Sequence, residues 1–315
     1  MSEVSNQENE SIPPRGNKEE TITSASKSRR LYIVIAMLVA FAAISYIVAL
    51  TIQLSYILLH IFLLIPFLGL ALIPPRPLKS EQREIRLIGF GLIGAVAGIA
   101  VIFSTFWDNI IAAKGVWECL QCHLGTLGHM PIEEYLWFIN HTLLAGFFIL
   151  SLWSSKKKVA PPPPTPRKTM RIIGTVFCFS IMILGLWLVQ YDQSFYLGVI
   201  LCFIGPVLGF LWWLGGHLLW QQRRQWLWGI AIISIYVLFL DTVAIYDGIW
   251  VISDAYTTGI ALFGIKLEQI LIYTLTTSLV VTTLVVCLRT TEINLEKEDK
   301  DGLLKQVVQM VKLKE

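Results

Sequence analysis

Trp107-Asp108-Asn109 leads to Gly115-Val116-Trp117, and Pro131-Ile132-Glu133-Glu134-Tyr135 follows. Further along, Leu240-Asp241-Thr242 leads to Gly248-Ile249-Trp250, and Lys266-Leu267-Glu268-Gln269-Ile270 follows. In each stretch a Gly stands seven residues after the Asp, a Trp two further on, and a Glu opens the next apolar run. The two stretches read as copies of one unit. Both place carboxylates where an apolar run meets a loop, and carboxylates at membrane depth are costly enough to signal function by default.

The surroundings of the copies are those of a membrane protein. Over 315 residues, 55% are hydrophobic and 15% charged, and the mean hydropathy is +0.65. A soluble chain carries roughly a quarter charged residues. A net charge of +3 gives no reason to expect a nucleic-acid partner. About 20 apolar residues cross a hydrocarbon core, and runs of that kind fall near 31–51, 54–73, 86–106, 132–153, 171–190, 194–216, 226–245 and 267–288. A single straight helix over 31–73 would be about 65 Å long at 1.5 Å per residue, twice the core thickness. A hairpin turning near residues 51–55 is therefore expected. The expected fold is all-α: a polytopic bundle of about eight transmembrane helices holding two parallel three-helix repeats.

Charge placement tests this count independently. Lys27, Arg29 and Arg30, the 74–86 loop, the 154–171 linker, Arg223-Arg224 and the segment after Arg289 all fall on one side when there are eight spans. The other side holds Lys114, Lys266 and nearly all the acids near the membrane. Seven spans would scramble the separation, so both termini are expected in the cytoplasm. Residues 1–30 read as a disordered cytoplasmic tail, since no small-residue cleavage site follows the first apolar run. Residues 31–153 then hold an extra helix and the first copy, and 154–170 a Pro-rich linker stiffened by prolines 161–164. Residues 171–288 hold a linking helix and the second copy, and 289–315 a cytoplasmic tail. In that tail Leu304, Val307, Val308 and Val311 recur at helical spacing; a helix lying on the inner surface and a frayed polar tail both fit.

Several motifs have plainer readings. Gly89-Phe90-Gly91-Leu92-Ile93-Gly94 matches a dinucleotide fingerprint in letters only, because it lies inside an apolar span. Close helix packing by small residues is expected there, and no nucleotide cofactor. Cys119-Leu120-Gln121-Cys122-His123, with His129, falls short of a structural zinc set, so a local disulfide or two free thiols is expected and no metal. Glu133-Glu134 after Pro131 suits a helix N-terminus on dipole grounds alone. That does not explain why Glu268 recurs, nor why Asp108 and Asp241 end the preceding helices against the dipole. His60 reads equally as a packing histidine or as a neighbour of the acids. The aromatics Trp107, Trp117, Tyr135, Trp137, Phe138 and Trp250 suit either an interfacial belt or the walls around a cation.

Together these residues resemble a known family. Phe106-Trp107-Asp108-Asn109, Cys119-Leu120-Gln121-Cys122, Gly125, Gly128 and Pro131 through Tyr135 look like the first half of the fungal-type lycopene cyclase domain. Gly205-Pro206-Val207-Leu208, Asp241 through Ile245, Gly248 through Ser253 and Thr258-Gly259 look like its second half, and Tyr56 through His60 like its opening. The resemblance covers about residues 54–288 and is to the two-part membrane lycopene beta-cyclases. It implies a lipophilic linear carotenoid as substrate, β-ionone rings in the product, membrane lipid as the surroundings, and association with other carotenoid enzymes. Fungal members carry this domain fused to phytoene synthase, a module this sequence is expected to lack. The extra N-terminal span and tail depart from the usual pattern. So does the second copy, which has Lys266-Leu267-Glu268-Gln269 where the family has a Pro-x-Glu-Glu motif.

Cyclisation of this kind is a net isomerisation needing no cofactor. An acid protonates the terminal alkene, the next double bond attacks the tertiary cation, and a base removes a ring proton. The acid must keep its proton near neutrality, which burial and a neighbouring carboxylate both favour. The expectation is Glu134 as acid and Glu133 as its partner, with Asp108 holding or relaying the proton. Glu268 with Asp241 are the equivalents in the second copy. His60, Trp107, Trp117, Tyr135, Phe138 and Trp250 are expected to bind substrate. Other readings are a proton-coupled transporter and a non-catalytic carotenoid-binding subunit. A Glu-Glu-x-x-x-Arg protease does not fit, because Phe138 stands at the Arg position.

Overall fold

The computed structural model describes residues 16–52, 54–72, 80–153 and 168–312. Among them are eight α-helices: α1 (Gly16–Thr51), α2 (Tyr56–Leu72), α3 (Ser80–Lys114), α4 (Ile132–Trp153), α5 (Lys168–Leu188), α6 (Phe195–Gln221), α7 (Arg223–Tyr246) and α8 (Leu267–Lys312). Six contain stretches long and apolar enough to cross a membrane, and Ile35–Thr51 and Tyr56–Ala71 are shorter apolar helices. α1 ends at Thr51 and α2 begins at Tyr56, a break that the length of the apolar run requires, and the two helices pack together. A helix closes its backbone hydrogen bonds within itself, which is why chains this apolar cross lipid in that form. The protein is an all-α membrane helical bundle.

Three boundaries differ from the sequence reading. α1 begins at Gly16, inside the expected tail. α8 runs unbroken to Lys312, so residues 290–312 continue the last helix. α3 extends to Lys114, beyond the expected end at 106. The proline-rich stretch 154–167 lies outside the described residues.

The two copies pack alike. α4 lies against α2 and α3, and α8 against α6 and α7. α4 and α8 also meet each other, and each touches the middle helix of the opposite copy, α7 and α3. α5 stands apart against α6, where Gly185 and Gly198 bring the two backbones together. On α3, Gly89 meets Leu150, but Gly91, Gly94 and Gly98 have nothing within 4 Å of where a Cβ would stand. The close packing expected along 89–98 is thus confined to its first residue.

Short hairpin strands gather at one end of the bundle: β1 (Trp117–Cys119), β2 (Thr126–Leu127), β3 (Met130–Pro131), β4 (Trp250–Ile252), β5 (Ala261–Leu262) and β6 (Ile265–Lys266). β2 pairs with β3 and β5 with β6, once in each copy. β1 and β4 join the copies antiparallel, with Trp117 opposite Ile252, Glu118 opposite Val251 and Cys119 opposite Trp250. Because Trp117 corresponds to Trp250 and Cys119 to Ile252, this register is an approximate two-fold axis passing between Glu118 and Val251. Flanking bonds obey the same symmetry: Leu120 N donates to Ile249 O at 2.7 Å, and Ser253 N to Val116 O at 2.8 Å.

Candidate active site

The duplicated glycines end their helices. Gly115 and Gly248 have φ of 75° and 72°, a left-handed conformation that a side chain disfavours. Val116 N bonds Ile111 O and Gly115 N bonds Ala112 O, both at 3.0 Å. Ile249 N bonds Ala244 O at 2.8 Å and Gly248 N bonds Ile245 O at 3.1 Å. This double-bonded glycine cap reverses the chain and buries the next residue, Val116 or Ile249, completely. The Trp that follows is carried back over the Asp nine residues earlier. Trp117 Nε1 donates to Asp108 Oδ1 at 3.2 Å, and Trp250 Nε1 to Asp241 Oδ1 at 3.0 Å. Asp108 and Asp241 were expected to end their helices, but each lies more than a turn inside, since α3 runs to Lys114 and α7 to Tyr246. The conflict with the helix dipole is therefore absent, as its effect is confined to the terminal turn.

The adjacent glutamates separate into two kinds. Glu133 is fully buried, and its Oε1 accepts His123 N at 2.6 Å and Leu124 N at 2.8 Å. Glu268 is fully buried too, and its Oε1 accepts Thr258 N at 2.7 Å. Both clamp the preceding loop to the helix start, and neither lines the central cavity. The next residue in each copy does. Glu134 and Gln269 line a cavity of about 190 Å³ together with Asp108 and Asp241. The acids of both copies therefore share one chamber.

Within it the copies are wired differently. Asp241 is buried and accepts three bonds: Trp250 and Tyr273 at Oδ1, the latter at 2.8 Å, and Gln269 Nε2 at Oδ2, at 2.5 Å. Asp108 is equally buried but receives Trp117 alone, and its Oδ2 has no partner among the described residues. Glu134 Oε2 accepts the hydroxyl of Tyr56 from the first turn of α2. Tyr196, in the first turn of α6, lines the same chamber.

Aromatic rings wall the chamber. Trp137 meets Trp250 edge to face with centroids 5.9 Å apart and Tyr273 at 6.2 Å, while Tyr56 meets Trp250 at 4.9 Å. Trp107, Trp117, Phe138 and Trp250 all line it. Two sequence candidates stand outside. Tyr135 donates to Leu127 O at 2.9 Å and so ties α4 to β2. His60 stacks on Tyr56 at 4.8 Å and contacts Asn140 through Nδ1 at 3.3 Å, which places it one layer behind the wall. Tyr196, Tyr273 and His141 line the cavity, and Tyr56 bonds Glu134 behind it; residue-level reasoning passed over all four. The available signal was spacing: Tyr273 lies one turn after Gln269, and Tyr56 one turn before His60.

The loops above the chamber are pinned. Cys119 and Cys122 form a disulfide, which decides between the open readings of that pair. Lys266 Nζ contacts Asp254 Oδ1 at 2.6 Å and Ile252 O at 2.9 Å, and its ammonium holds the exposed Asp254 carboxyl below the usual range. Lys114 pairs with Asp192 at 3.0 Å.

Fold and site together define a membrane helical bundle of two fused copies that share one carboxyl- and aromatic-lined chamber. The lycopene beta-cyclase of Halobacterium salinarum is 33% identical to this chain over 211 residues, covering 64% of the chain and 86% of that protein. The bifunctional lycopene cyclase/phytoene synthase of Phycomyces blakesleeanus is 26% identical over 230 residues, 71% of this chain and 37% of that protein. That of Blakeslea trispora is 27% identical over 235 residues, 72% of this chain and 38% of that protein. No family model and no solved structure matches the chain. The chain belongs to the lycopene beta-cyclase family, a family of enzymes.

Proposed function

We propose that the protein closes the linear ends of lycopene, or of a related linear carotenoid, into β-ionone rings by proton-initiated, non-redox cyclisation within the membrane. The observation that carries this reading is the single chamber in which Asp108, Glu134 and Asp241 meet a largely apolar and aromatic wall. Glu134, positioned by Tyr56, gives its proton to the terminal alkene, leaving a tertiary cation. The neighbouring double bond attacks that cation, forming the ring bond and moving the positive charge into the ring. Asp108, whose Oδ2 is unengaged, takes the ring proton, and the new double bond completes a product isomeric with the substrate. Asp241 accepts three donors, an arrangement that complements an anion, and so stabilises the cation electrostatically. Trp137 and Trp250 present π-faces to the same charge. Glu133 and Glu268 serve as loop clamps that position Glu134 and Gln269.

The hairpin end, with the acids, faces away from the cytoplasm in this reading. Arg86, Arg171 and Arg223 all sit toward the opposite ends of their helices, which supports cytoplasmic termini by the positive-inside rule. Association with other carotenoid enzymes is an expectation carried from the bifunctional fungal relatives. Pigment analysis after expression in lycopene-accumulating bacteria tests the activity. Cyclised product from the wild type and unchanged lycopene with Glu134→Gln are expected; unchanged lycopene with the wild type overturns the reading.

A further inference from the structure

The chamber is longer than its acid cluster. α3 contributes Val96, Ala100, Phe103 and Asp108 from one face, and α8 contributes Gln269, Tyr273, Thr276, Val280 and Thr283 from one face. At 1.5 Å of rise per residue, Val96 lies about 18 Å below Asp108, and Thr283 about 21 Å below Gln269. Every carboxyl is at the hairpin end, and the far end is Val96, Ile99, Ala100, Leu279 and Val280. Of the polar side chains that line this slot below the acids, Thr276 Oγ1 donates to Ile272 O at 2.6 Å, Thr283 Oγ1 donates to Leu279 O at 2.8 Å, and His141 Nε2 contacts Thr277 Oγ1 at 2.9 Å; Ser104 and Thr142 line it too. Nothing at the far end calls for a polar ligand. Along α3 the wall is thin, because Ile99 is 64% exposed and Gly98 beside it has open space where a Cβ would stand.

We infer that the far end of the slot, between α3 and α8, is a subsite for the unreacted hydrocarbon of the substrate. The chain lies along the bundle axis with one terminus among the acids, and enters from lipid past Ile99 on α3. The assignment rests on the cyclase reading and adds the seat and direction of the substrate to it. Continuity with the acid cluster fixes the occupant's chemistry: a linear apolar chain whose terminus carries the reacting alkene.

Photocrosslinking tests the subsite. A benzophenone amino acid is placed at Leu279, inside the slot, or at Val176, which is 57% exposed on α5. The protein is reconstituted in phosphatidylcholine vesicles with lycopene and irradiated, and adducts are read by mass spectrometry. An adduct at 279 and none at 176 is expected; equal labelling, or none at 279, overturns the subsite. Two substitutions on α3 give a second readout. Ala100→Trp fills the slot and lowers cyclisation at limiting lycopene by about tenfold. Ile102→Trp, on the exposed side of the same helix, leaves it near wild type. Equal effects of the two also count against the subsite. Full wild-type cyclisation with no adduct at 279 removes the subsite alone, whereas a wild type that leaves lycopene unchanged removes the cyclase reading itself.

Discussion

Asp108 and Asp241 occupy equivalent places in the two copies, under equivalent indoles, yet one is sparsely engaged and the other saturated. Asp241 gathers Trp250, Tyr273 and Gln269, while among the described residues Asp108 Oδ2 has no partner in a buried setting. The residue after the clamp diverges in the same sense: Glu134 stands free of its own Asp and is held by Tyr56, whereas Gln269 is spent on Asp241. What the copies share is scaffolding, namely the glycine cap, the Trp–Asp bond, the clamp glutamate and the hairpins. What they do not share is the set of groups able to move a proton. Under the proposed mechanism, the duplication holds the architecture constant while the first copy carries the proton chemistry and the second supplies a fixed counter-charge.

The severest test of that division is Glu134→Gln. It removes the proposed acid and leaves a shape that fits, so cyclisation is expected to fall by roughly 10²–10⁴-fold, the usual span for a general acid. Thermal unfolding in detergent should stay near wild type. Retained activity would place the acid elsewhere and erase the distinction between copies. The two aspartates come next and separate by kind of damage. Asp108→Asn loses the base, so turnover drops by about a hundredfold with stability little changed, because only one bond is disturbed. Asp241→Asn sets a new amide donor against three existing donors; it costs about 1–3 kcal/mol of stability as well as turnover. Paired pigment analysis and unfolding curves distinguish them, and identical behaviour of the two variants defeats the comparison.

The scaffold was legible in the sequence because it is written in spacing. Apolar run length fixed the break between α1 and α2, and the repeat of Asp, Gly and Trp marked a cap and an indole–carboxylate bond, although the bond itself is visible only once the chain reverses. Two features were not legible. Glu133 and Glu134 are chemically identical neighbours, and only the path of the 119–124 loop shows that the first is spent on backbone amides while the second faces the chamber. Tyr56, on another helix 78 residues away in sequence, reaches Glu134 through tertiary packing that no local pattern encodes. The glycine run 89–98 shows the converse: a convincing local pattern for close packing met no neighbour at Gly91, Gly94 or Gly98.

The clamps should behave as a matched pair if the copies share scaffolding. Glu133→Ala and Glu268→Ala each remove the acceptor of partly buried loop amides, which costs about 1–3 kcal/mol. Glu133→Ala is the more damaging because it loses two bonds rather than one. Residual activity per folded molecule should stay high in both. A loss in Glu133→Ala as deep as in Glu134→Gln, with the fold intact, makes Glu133 a reacting partner after all and reinstates the adjacent pair as the acid.

The smallest expected effects belong to the tyrosines, and they divide along the same line. Tyr273→Phe removes one of three donors on Asp241, so the carboxylate keeps two and the anion remains well complemented. The change should cost about 1 kcal/mol of stability and leave turnover within a small factor of wild type. Tyr56→Phe removes the side-chain donor that holds Glu134, so the acid loses its aim rather than its proton. Turnover should then fall several-fold, by about the worth of one hydrogen bond to a reacting group, with KM unchanged because the slot is untouched. Steady-state kinetics on the two variants in the same vesicles reads the difference. If Tyr273→Phe proves the costlier for turnover, Asp241 is moving a proton, and the second copy is a partner in the chemistry rather than its counter-charge.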